Sequence, residues 1–252
     1  MYKFNNGDRY LVTGASSGIG RQVCMHLLQA GAEVVALGRN ELSLQSLTDS
    51  ALRPEQFAYH LVDFSQSTNQ LGDIITELAK RYGKFSGAVL AAGTHNLSPL
   101  KTLNIDHFRK TLEINLLSNI AIVQGLCRKN HNIGQGASIV VISSIAARRS
   151  DKGALEYSAS KAALETAMRC IASEVASKGV RINCIAPGFV QTPMLEKMPV
   201  YSPDFLKKLE QDHPLGLGTV KNISQPVMFL LSADSSWITG TTMIVDGGYS
   251  LA

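Results

Sequence analysis

Tyr157 and Lys161 are the two residues whose types and spacing suggest acid–base chemistry most directly. They lie four positions apart in a helical pattern, so their side chains share one face of the helix. A free phenol has a pKa of about 10 and does not readily exchange its proton at neutral pH. We expect the neighbouring ammonium group to lower the pKa of Tyr157 and make it a usable general acid or base. Of the seven tyrosines only Tyr157 has a lysine four positions later, although such pairs also occur on solvated helix faces.

A glycine-rich turn near the start of the chain has the form of a phosphate-binding loop. It reads Thr13-Gly14-Ala15-Ser16-Ser17-Gly18-Ile19-Gly20 and lies between a predicted strand and an amphipathic helix. Gly14 permits a tight turn, Gly18 lets the backbone approach phosphates, and Gly20 allows close packing of helix on strand. The helix N-terminus favours an anion. The sequence therefore predicts a dinucleotide site, with a plain structural turn as the alternative. The residues assigned to it here are Gly14, Ser16, Ser17, Gly18, Ile19 and Gly20.

The end of the second predicted strand indicates which dinucleotide is preferred. An acidic residue there would bind the ribose hydroxyls of NAD and repel a 2′-phosphate. This chain has Gly38 at that position, followed by Arg39, whose guanidinium matches a phosphate in charge and geometry. The pattern favours NADP (NADPH) over NAD. The alternative is that Arg39 is a surface residue neutralised by Glu41.

Short apolar runs alternate with helical patterns along the whole chain, which is typical of a parallel sheet covered on both faces. We predict an α/β chain with one domain, residues 1–252, that forms a doubly wound Rossmann fold. The predicted strands are Arg9–Val12, Glu33–Leu37, Phe57–Val62, Gly87–Ala91, Ser138–Ser143, Arg181–Ile185 and Thr242–Val245. The predicted helices are Gly18–Gln29, Leu42–Thr48, Gln66–Arg81, Phe108–Arg128, Leu155–Ser177 and Ile223–Leu231. The segment Gly188–Gly218, with four prolines, is predicted to be irregular and to have a function, for example as a lid. Its apolar residues either form such a lid or equally form a small core of the segment itself; they are Met194, Leu195, Met198, Tyr201, Phe205 and Leu206.

Composition narrows the class of protein. The chain has 252 residues, 45% of them hydrophobic and 17% charged, as in ordinary globular enzymes. The net charge of +4 is unclustered and gives no case for nucleic acid. No apolar run is long enough to span a membrane, and no His or Cys spacing suits a metal. Together with four scattered cysteines, this predicts a cytoplasmic protein with free thiols.

In these motifs the chain resembles the short-chain dehydrogenase/reductase family, in its short-chain branch. The marks T-G-x-x-x-G-x-G and Y-x-x-x-K are both present, and the resemblance runs from about Tyr10 to Tyr249. It implies a catalytic serine thirteen positions before the tyrosine, which is Ser144. Ser143 competes for this role, but strand alternation turns it to the other face. The catalytic residues that the resemblance implies are Asn115, Ser144, Tyr157 and Lys161. The further cofactor-binding residues are Asp63, Ala91, Gly93, Tyr157, Lys161, Pro187, Gly188, Val190 and Thr192.

One departure from the family pattern follows the fourth strand. The family usually has Asn-Asn-Ala-Gly there, whereas this chain has Leu90-Ala91-Ala92-Gly93. We expect altered bracing between neighbouring strands, without loss of catalysis.

The resemblance implies an oxidoreductase that transfers hydride between NADP(H) and a small carbonyl or alcohol substrate. Within the family the chain is similar to 3-oxoacyl-acyl-carrier-protein reductases, and Arg148 and Lys152 are candidates for meeting an anionic thioester. An NAD(H)-dependent alcohol or sugar dehydrogenase and a catalytically silent nucleotide sensor stay as alternatives. A sugar-nucleotide epimerase is disfavoured, because no extra substrate domain follows. Family members often assemble, which implies a homo-oligomer, either a homotetramer or a dimer.

Overall fold

A seven-stranded parallel sheet forms the centre of the structure, a computed structural model that describes residues 4–5, 7–50, 53–66, 68–149, 151–198 and 201–251. The strands are β1 (Arg9–Thr13), β2 (Glu33–Gly38), β3 (Phe57–Leu61), β4 (Gly87–Leu90), β5 (Ser138–Ile142), β6 (Arg181–Pro187) and β7 (Thr242–Val245). Their order across the sheet is β3-β2-β1-β4-β5-β6-β7. All strand pairs are parallel, and the order in which strands are added to the sheet reverses between β1 and β4, the position at which such sheets bind ligands. The predicted Rossmann fold is confirmed.

Helices cover both faces of the sheet. They are α1 (Gly18–Gln29), α2 (Glu41–Gln45), α3 (Thr68–Tyr82), α4 (Ile105–Leu112), α5 (Ser118–Leu126), α6 (Leu155–Val175), α7 (Pro193–Glu196), α8 (Pro203–Asp212) and α9 (Val220–Leu231). Alternation along β1 sends Leu11 into a core shared with α3, α5 and α6. Tyr10 and Val12 point into a second core with α1 and α9. None of the described helices is both long and apolar enough to cross a lipid bilayer.

The predicted helix Phe108–Arg128 is interrupted by a π-helical turn, Glu113–Leu117, between α4 and α5. The extra residue in this turn displaces backbone carbonyls from their usual helical partners. The Ser118 hydroxyl donates to the Ile114 carbonyl at 2.6 Å, and the Asn119 amide donates to the Asn115 carbonyl at 3.0 Å. These two side chains supply hydrogen bonds to carbonyl groups of the turn, and they hold the backbone of Asn115 in place.

The expectation that Gly188–Gly218 is irregular is wrong, because α7 and α8 lie within it. Both helices begin with proline at a position where its missing N–H costs nothing. The side chains of Thr192 and Ser202 cap them by accepting hydrogen bonds from the backbone N–H groups of Leu195 and Phe205. The sequence analysis included Pro199 in this segment and Ser67 in the predicted helix Gln66–Arg81. Both residues lie outside the described residues.

Candidate active site

A cleft of about 630 Å³ opens at the carboxyl edge of the sheet. Every residue that the sequence analysis assigned to catalysis or cofactor binding lines this cleft, except Asn115. These residues are Gly14, Ser16, Ser17, Gly18, Ile19, Gly20, Arg39, Asp63, Ala91, Gly93, Ser144, Tyr157, Lys161, Pro187, Gly188, Val190 and Thr192. The fold therefore brings together residues that are up to 178 positions apart in the chain, from Gly14 to Thr192 (192 − 14).

Two glycines of the glycine-rich turn, Gly14 and Gly20, lie too close to their neighbours to carry a side chain. Gly14 has a positive φ of 65°, and a Cβ there would lie 2.7 Å from the Ala91 carbonyl oxygen. A Cβ on Gly20 would lie 2.5 Å from the Gly14 carbonyl oxygen, which is closer than real contacts allow. The first of these glycines lets β1 approach the end of β4, and the second lets α1 pack on the turn.

The N-terminus of α1 is open toward the cleft. Helices α2, α4, α7 and α8 each have a side chain that accepts from their first N–H groups. Ser17 makes no such bond at the start of α1, and no acidic residue lies in the first turn. The first N–H groups of α1 thus remain available for an anionic group, and the dipole of a twelve-residue helix favours one. These features fit the pyrophosphate of a dinucleotide.

The expected loss of bracing after β4 is compensated by Thr13. Its buried hydroxyl oxygen accepts hydrogen bonds from the backbone N–H groups of both Ala91 and Ala92, each at 3.1 Å. Ala91 and Ala92 carry no amide side chain, yet their backbone is tied directly to β1. The wall of the cleft is therefore held without the asparagines that the family usually has.

Arg39 and Asp63 lie at the end of the cleft near β2 and β3. Arg39 is exposed and forms no ion pair with any acidic residue in the described part of the chain, so Glu41 does not neutralise it. Hydrogen bonds from Ser65 lower the pKa of the Asp63 carboxyl, and the charge of Arg39 acts in the same direction. This end of the cleft therefore has the exposed guanidinium of Arg39 with the carboxylate of Asp63 nearby.

Ser143 and Ser144 point to different sides, as strand alternation predicts. The Ser143 hydroxyl donates to Glu165 Oε1 at 2.8 Å in the protein interior. The Ser144 oxygen accepts from the Ala146 N–H at 3.1 Å and is hydrogen-bonded to the phenol of Tyr157. Both serines border the cleft, but Ser144 is the one that is hydrogen-bonded to Tyr157, whereas the Ser143 hydroxyl is engaged by Glu165.

The prediction that the pKa of Tyr157 is lowered is wrong. Burial raises the pKa of Tyr157 above its usual value, and the hydrogen bond with Ser144 offsets only part of this. Lys161 lies with Nζ 5.8 Å from the Tyr157 ring centre and donates to the Ile142 carbonyl at 2.8 Å. Burial also lowers the pKa of Lys161 to about 8, against the opposing influence of Cys184 and Glu165. Desolvation by burial is the largest influence on the pKa of both groups.

Asn115 lies behind the cleft wall and is fully buried. Its carboxamide accepts from the Thr94 N–H at 2.8 Å and donates to the Thr94 carbonyl at 2.9 Å. It also donates to the Ser160 hydroxyl at 3.0 Å. A Cβ placed on Gly93 would lie 3.2 Å from Asn115 Oδ1 and 3.6 Å from Lys161 Nζ. Asn115 therefore positions the backbone beside Lys161 and does not contact the open cleft.

The far end of the cleft has apolar walls. Met194, Leu195, Met198 and Phe205 line it, whereas Tyr201 and Leu206, which the sequence grouped with them, do not. Arg148 is turned away and pairs with the buried Glu165 at 3.1 Å, which leaves Lys152 as the predicted cation that faces the cleft.

Sequence reasoning missed Tyr249, which lines this end together with Arg149. The Arg149 guanidinium lies 4.0 Å from the centre of the Tyr249 ring. No motif signals a contact between residues so distant in the chain.

Comparisons with known proteins agree with this geometry. A family model described as enoyl-(acyl carrier protein) reductase matches residues 14–250. The chain is 35% identical to L-xylulose reductase of Caenorhabditis elegans, covering 99% of this chain and 98% of that protein. It is 29% identical to 3-oxoacyl-[acyl-carrier-protein] reductase FabG of Thermotoga maritima, covering 96% and 97%. A solved short-chain dehydrogenase/reductase of Brucella melitensis, described as a glucose/ribitol dehydrogenase, superposes with a TM-score of 0.90 at 27% identity over both entire chains.

Proposed function

The chain belongs to the short-chain dehydrogenase/reductase family, and on that premise we propose that residues 1–252 act as one NADP(H)-dependent oxidoreductase domain that reduces a carbonyl compound or oxidises the corresponding alcohol. One observation carries this proposal: the phenol of Tyr157, hydrogen-bonded to Ser144, lines the same cleft as the open N-terminus of α1. A proton donor and a dinucleotide cradle are thus within one enclosed space.

In the proposed mechanism, the bound nicotinamide supplies or accepts the hydride. Ser144 and Tyr157 donate hydrogen bonds to the substrate oxygen and stabilise the negative charge that develops on it. Tyr157 Oη then transfers its proton to that oxygen in the reductive direction and removes it in the oxidative direction. Apolar walls exclude water and strengthen these interactions. The residues that we assign to cofactor binding are Gly14, Ser16, Ser17, Gly18, Ile19, Gly20, Asp63, Ala91, Gly93, Pro187, Gly188, Val190 and Thr192.

Lys161 and Asn115 are proposed to support Tyr157 in different ways. The Lys161 ammonium is proposed to hold the cofactor ribose and to stabilise charge on the phenol as it loses its proton. Asn115 is proposed as a positioning residue, because its carboxamide clamps the Thr94 backbone next to Gly93 and Lys161.

The preference for NADPH over NADH is proposed from Arg39. Its guanidinium is exposed, lines the cleft and has no ion-pair partner among the described residues. Gly38 contributes no carboxylate that would repel a 2′-phosphate, and a guanidinium binds a phosphate through paired hydrogen bonds. The Asp63 carboxylate lies near enough to Arg39 for the guanidinium to lower its pKa, and its charge acts against this preference.

Replacing Arg39 with Asp tests the preference. We expect Arg39→Asp to raise KM for NADPH at least tenfold, about 1.4 kcal/mol or more of binding, while KM for NADH changes by less than about threefold. Steady-state kinetics with each cofactor measures this difference. Arg109→Asp, which makes the same charge change on the exposed face of α4, is the control and should alter neither constant. Equal rises for both cofactors would remove Arg39 from its assigned role.

Two substrate classes have support. Similarity to L-xylulose reductase supports a small polar ketone, and similarity to 3-oxoacyl-[acyl-carrier-protein] reductase supports a 3-oxoacyl thioester. The apolar far end of the cleft accommodates an acyl chain, but of the predicted pair only Lys152 lines the cleft, and the additional cation Arg149 is engaged by the carbonyl and ring of Tyr249. We therefore propose small polar ketones as the favoured substrate class and 3-oxoacyl thioesters as the second candidate.

A panel of carbonyl compounds tests the proposed activity. The purified protein should oxidise NADPH, followed at about 340 nm absorbance, in the presence of some members of a panel of ketones, ketoses and 3-oxoacyl thioesters. No oxidation with any member, combined with tight NADPH binding, would instead support a silent nucleotide sensor.

We also propose a homo-oligomeric state, a homotetramer or a dimer, and a cytoplasmic location. Trp237 is almost fully exposed, and Ile244 on the edge strand β7 is half-exposed, as expected of surfaces that a second copy covers. All four cysteines are free thiols, which suits a reducing compartment. Light scattering that gives the mass of a monomer would contradict the assembly.

A further inference from the structure

His95 lies on the cleft wall directly against Tyr157. The two rings meet edge to face, with centres 4.4 Å apart and planes at 76°. Both residues line the cleft. His95 has no role in the proposed mechanism, although it lies next to the proton donor Tyr157.

The loop that carries His95 is held at both ends. Asn115 clamps the backbone of Thr94 through two hydrogen bonds, at 2.8 and 2.9 Å. On the other side, the Ser98 N–H donates to the Gly153 carbonyl at 2.8 Å, which ties the loop to the segment that precedes α6. Since Tyr157 is on α6, the loop and the phenol are fixed to the same frame. The His95 ring is thus preorganised at a defined place beside the reacting group.

The two ring nitrogens of His95 have no hydrogen-bond partner within the described part of the chain, although the ring is half-buried. Burial lowers the pKa of His95 below its usual value, so the ring is neutral at physiological pH. A neutral imidazole offers one donor and one acceptor. This pair of functions matches a hydroxyl group, which likewise donates and accepts.

We propose that His95 is a specificity-determining residue that hydrogen-bonds an oxygen substituent on the carbon next to the reacting carbonyl. The inference rests on the proposed reductase function and narrows its substrate class to α-hydroxy ketones and the corresponding vicinal diols. When Tyr157 binds the reacting oxygen, the adjacent carbon of the substrate lies near the ring that packs against Tyr157. A substrate without the second oxygen leaves the imidazole unpaired in a closed site, which disfavours its binding.

The test compares two ketones that differ by one hydroxyl, 3-hydroxy-2-butanone and 2-butanone, with NADPH as the reductant. The wild-type protein should prefer the hydroxy ketone in kcat/KM. His95→Phe keeps a ring of similar size against Tyr157 but removes both nitrogens. It should lower kcat/KM for the hydroxy ketone about tenfold and change that for 2-butanone less than about twofold. His95→Gln, which restores a donor and an acceptor, should recover part of the preference.

A change in both ketones by the same factor in His95→Phe would assign His95 a merely structural role against Tyr157 and overturn the proposal. An unchanged preference, or turnover of the wider carbonyl panel without turnover of the hydroxy ketone, would also overturn it while leaving the reductase function intact. Absence of NADPH oxidation with every carbonyl would reject both proposals together.

Discussion

Tyr157→Phe should reduce turnover by a factor of at least about 10³ while leaving NADPH binding within about threefold of the wild type. Phenylalanine preserves the ring that packs against His95 but removes the hydroxyl that is hydrogen-bonded to Ser144. General acid catalysis contributes about 10² to 10⁴ to a rate, and the lost donor to the developing oxyanion adds to this. Binding should persist because the assigned phosphate contacts lie at α1, at the other end of the cleft.

The measurement needs two readouts and one control. Turnover is followed by NADPH oxidation with a reactive ketone, and binding by titration of cofactor fluorescence. Tyr201→Phe makes the same chemical change at a half-exposed tyrosine that does not line the cleft, and it should behave as the wild type. A Tyr157→Phe variant that retains full turnover would remove Tyr157 as the proton donor.

The fold could be predicted from the sequence because the periodic spacing of apolar residues is a local signal. The strand at Thr242–Val245 and the helix at Gly18–Gln29 have the bounds predicted for them. The helices α7 and α8 were missed because Pro193 and Pro203 were interpreted as breakers, although proline also begins helices when a Thr or Ser side chain caps them. The π-helical turn at Asn115 depends on hydrogen bonds from Ser118 and Asn119, which no periodicity reports.

The spacing of the motifs predicted which residues meet in the cleft. It did not predict the pKa values of those residues. The i, i+4 spacing places Tyr157 and Lys161 on one face, as expected. It carries no information on burial, which raises one pKa and lowers the other. Likewise, Arg148 was a reasonable candidate for the cleft until the buried Glu165, seventeen positions away, engaged it. Desolvation and ion pairs between distant residues depend on the packed structure. Local sequence patterns therefore do not predict them.

The low pKa of Lys161 leads to a pH-dependent prediction. The free enzyme has Lys161 with a pKa of about 8, so the ammonium is present below that pH and is lost as pH rises through it. The proposed role requires the charged form. We therefore expect kcat/KM for NADPH, which reports on groups of the free enzyme, to fall as pH rises through about 8.

Lys161→Met keeps an unbranched side chain of similar length without the charge. It should lower kcat by about 10² or more, and it should also weaken NADPH binding, which Tyr157→Phe leaves nearly unchanged. The fall in kcat/KM near pH 8 should disappear from whatever activity remains. Lys178→Met, at an exposed position that follows α6, is the matched control and should keep both the rate and the pH profile. If Lys161→Met kept the same decline near pH 8, another group would be responsible for it, and the charge assigned to Lys161 in binding and proton transfer would have to be abandoned.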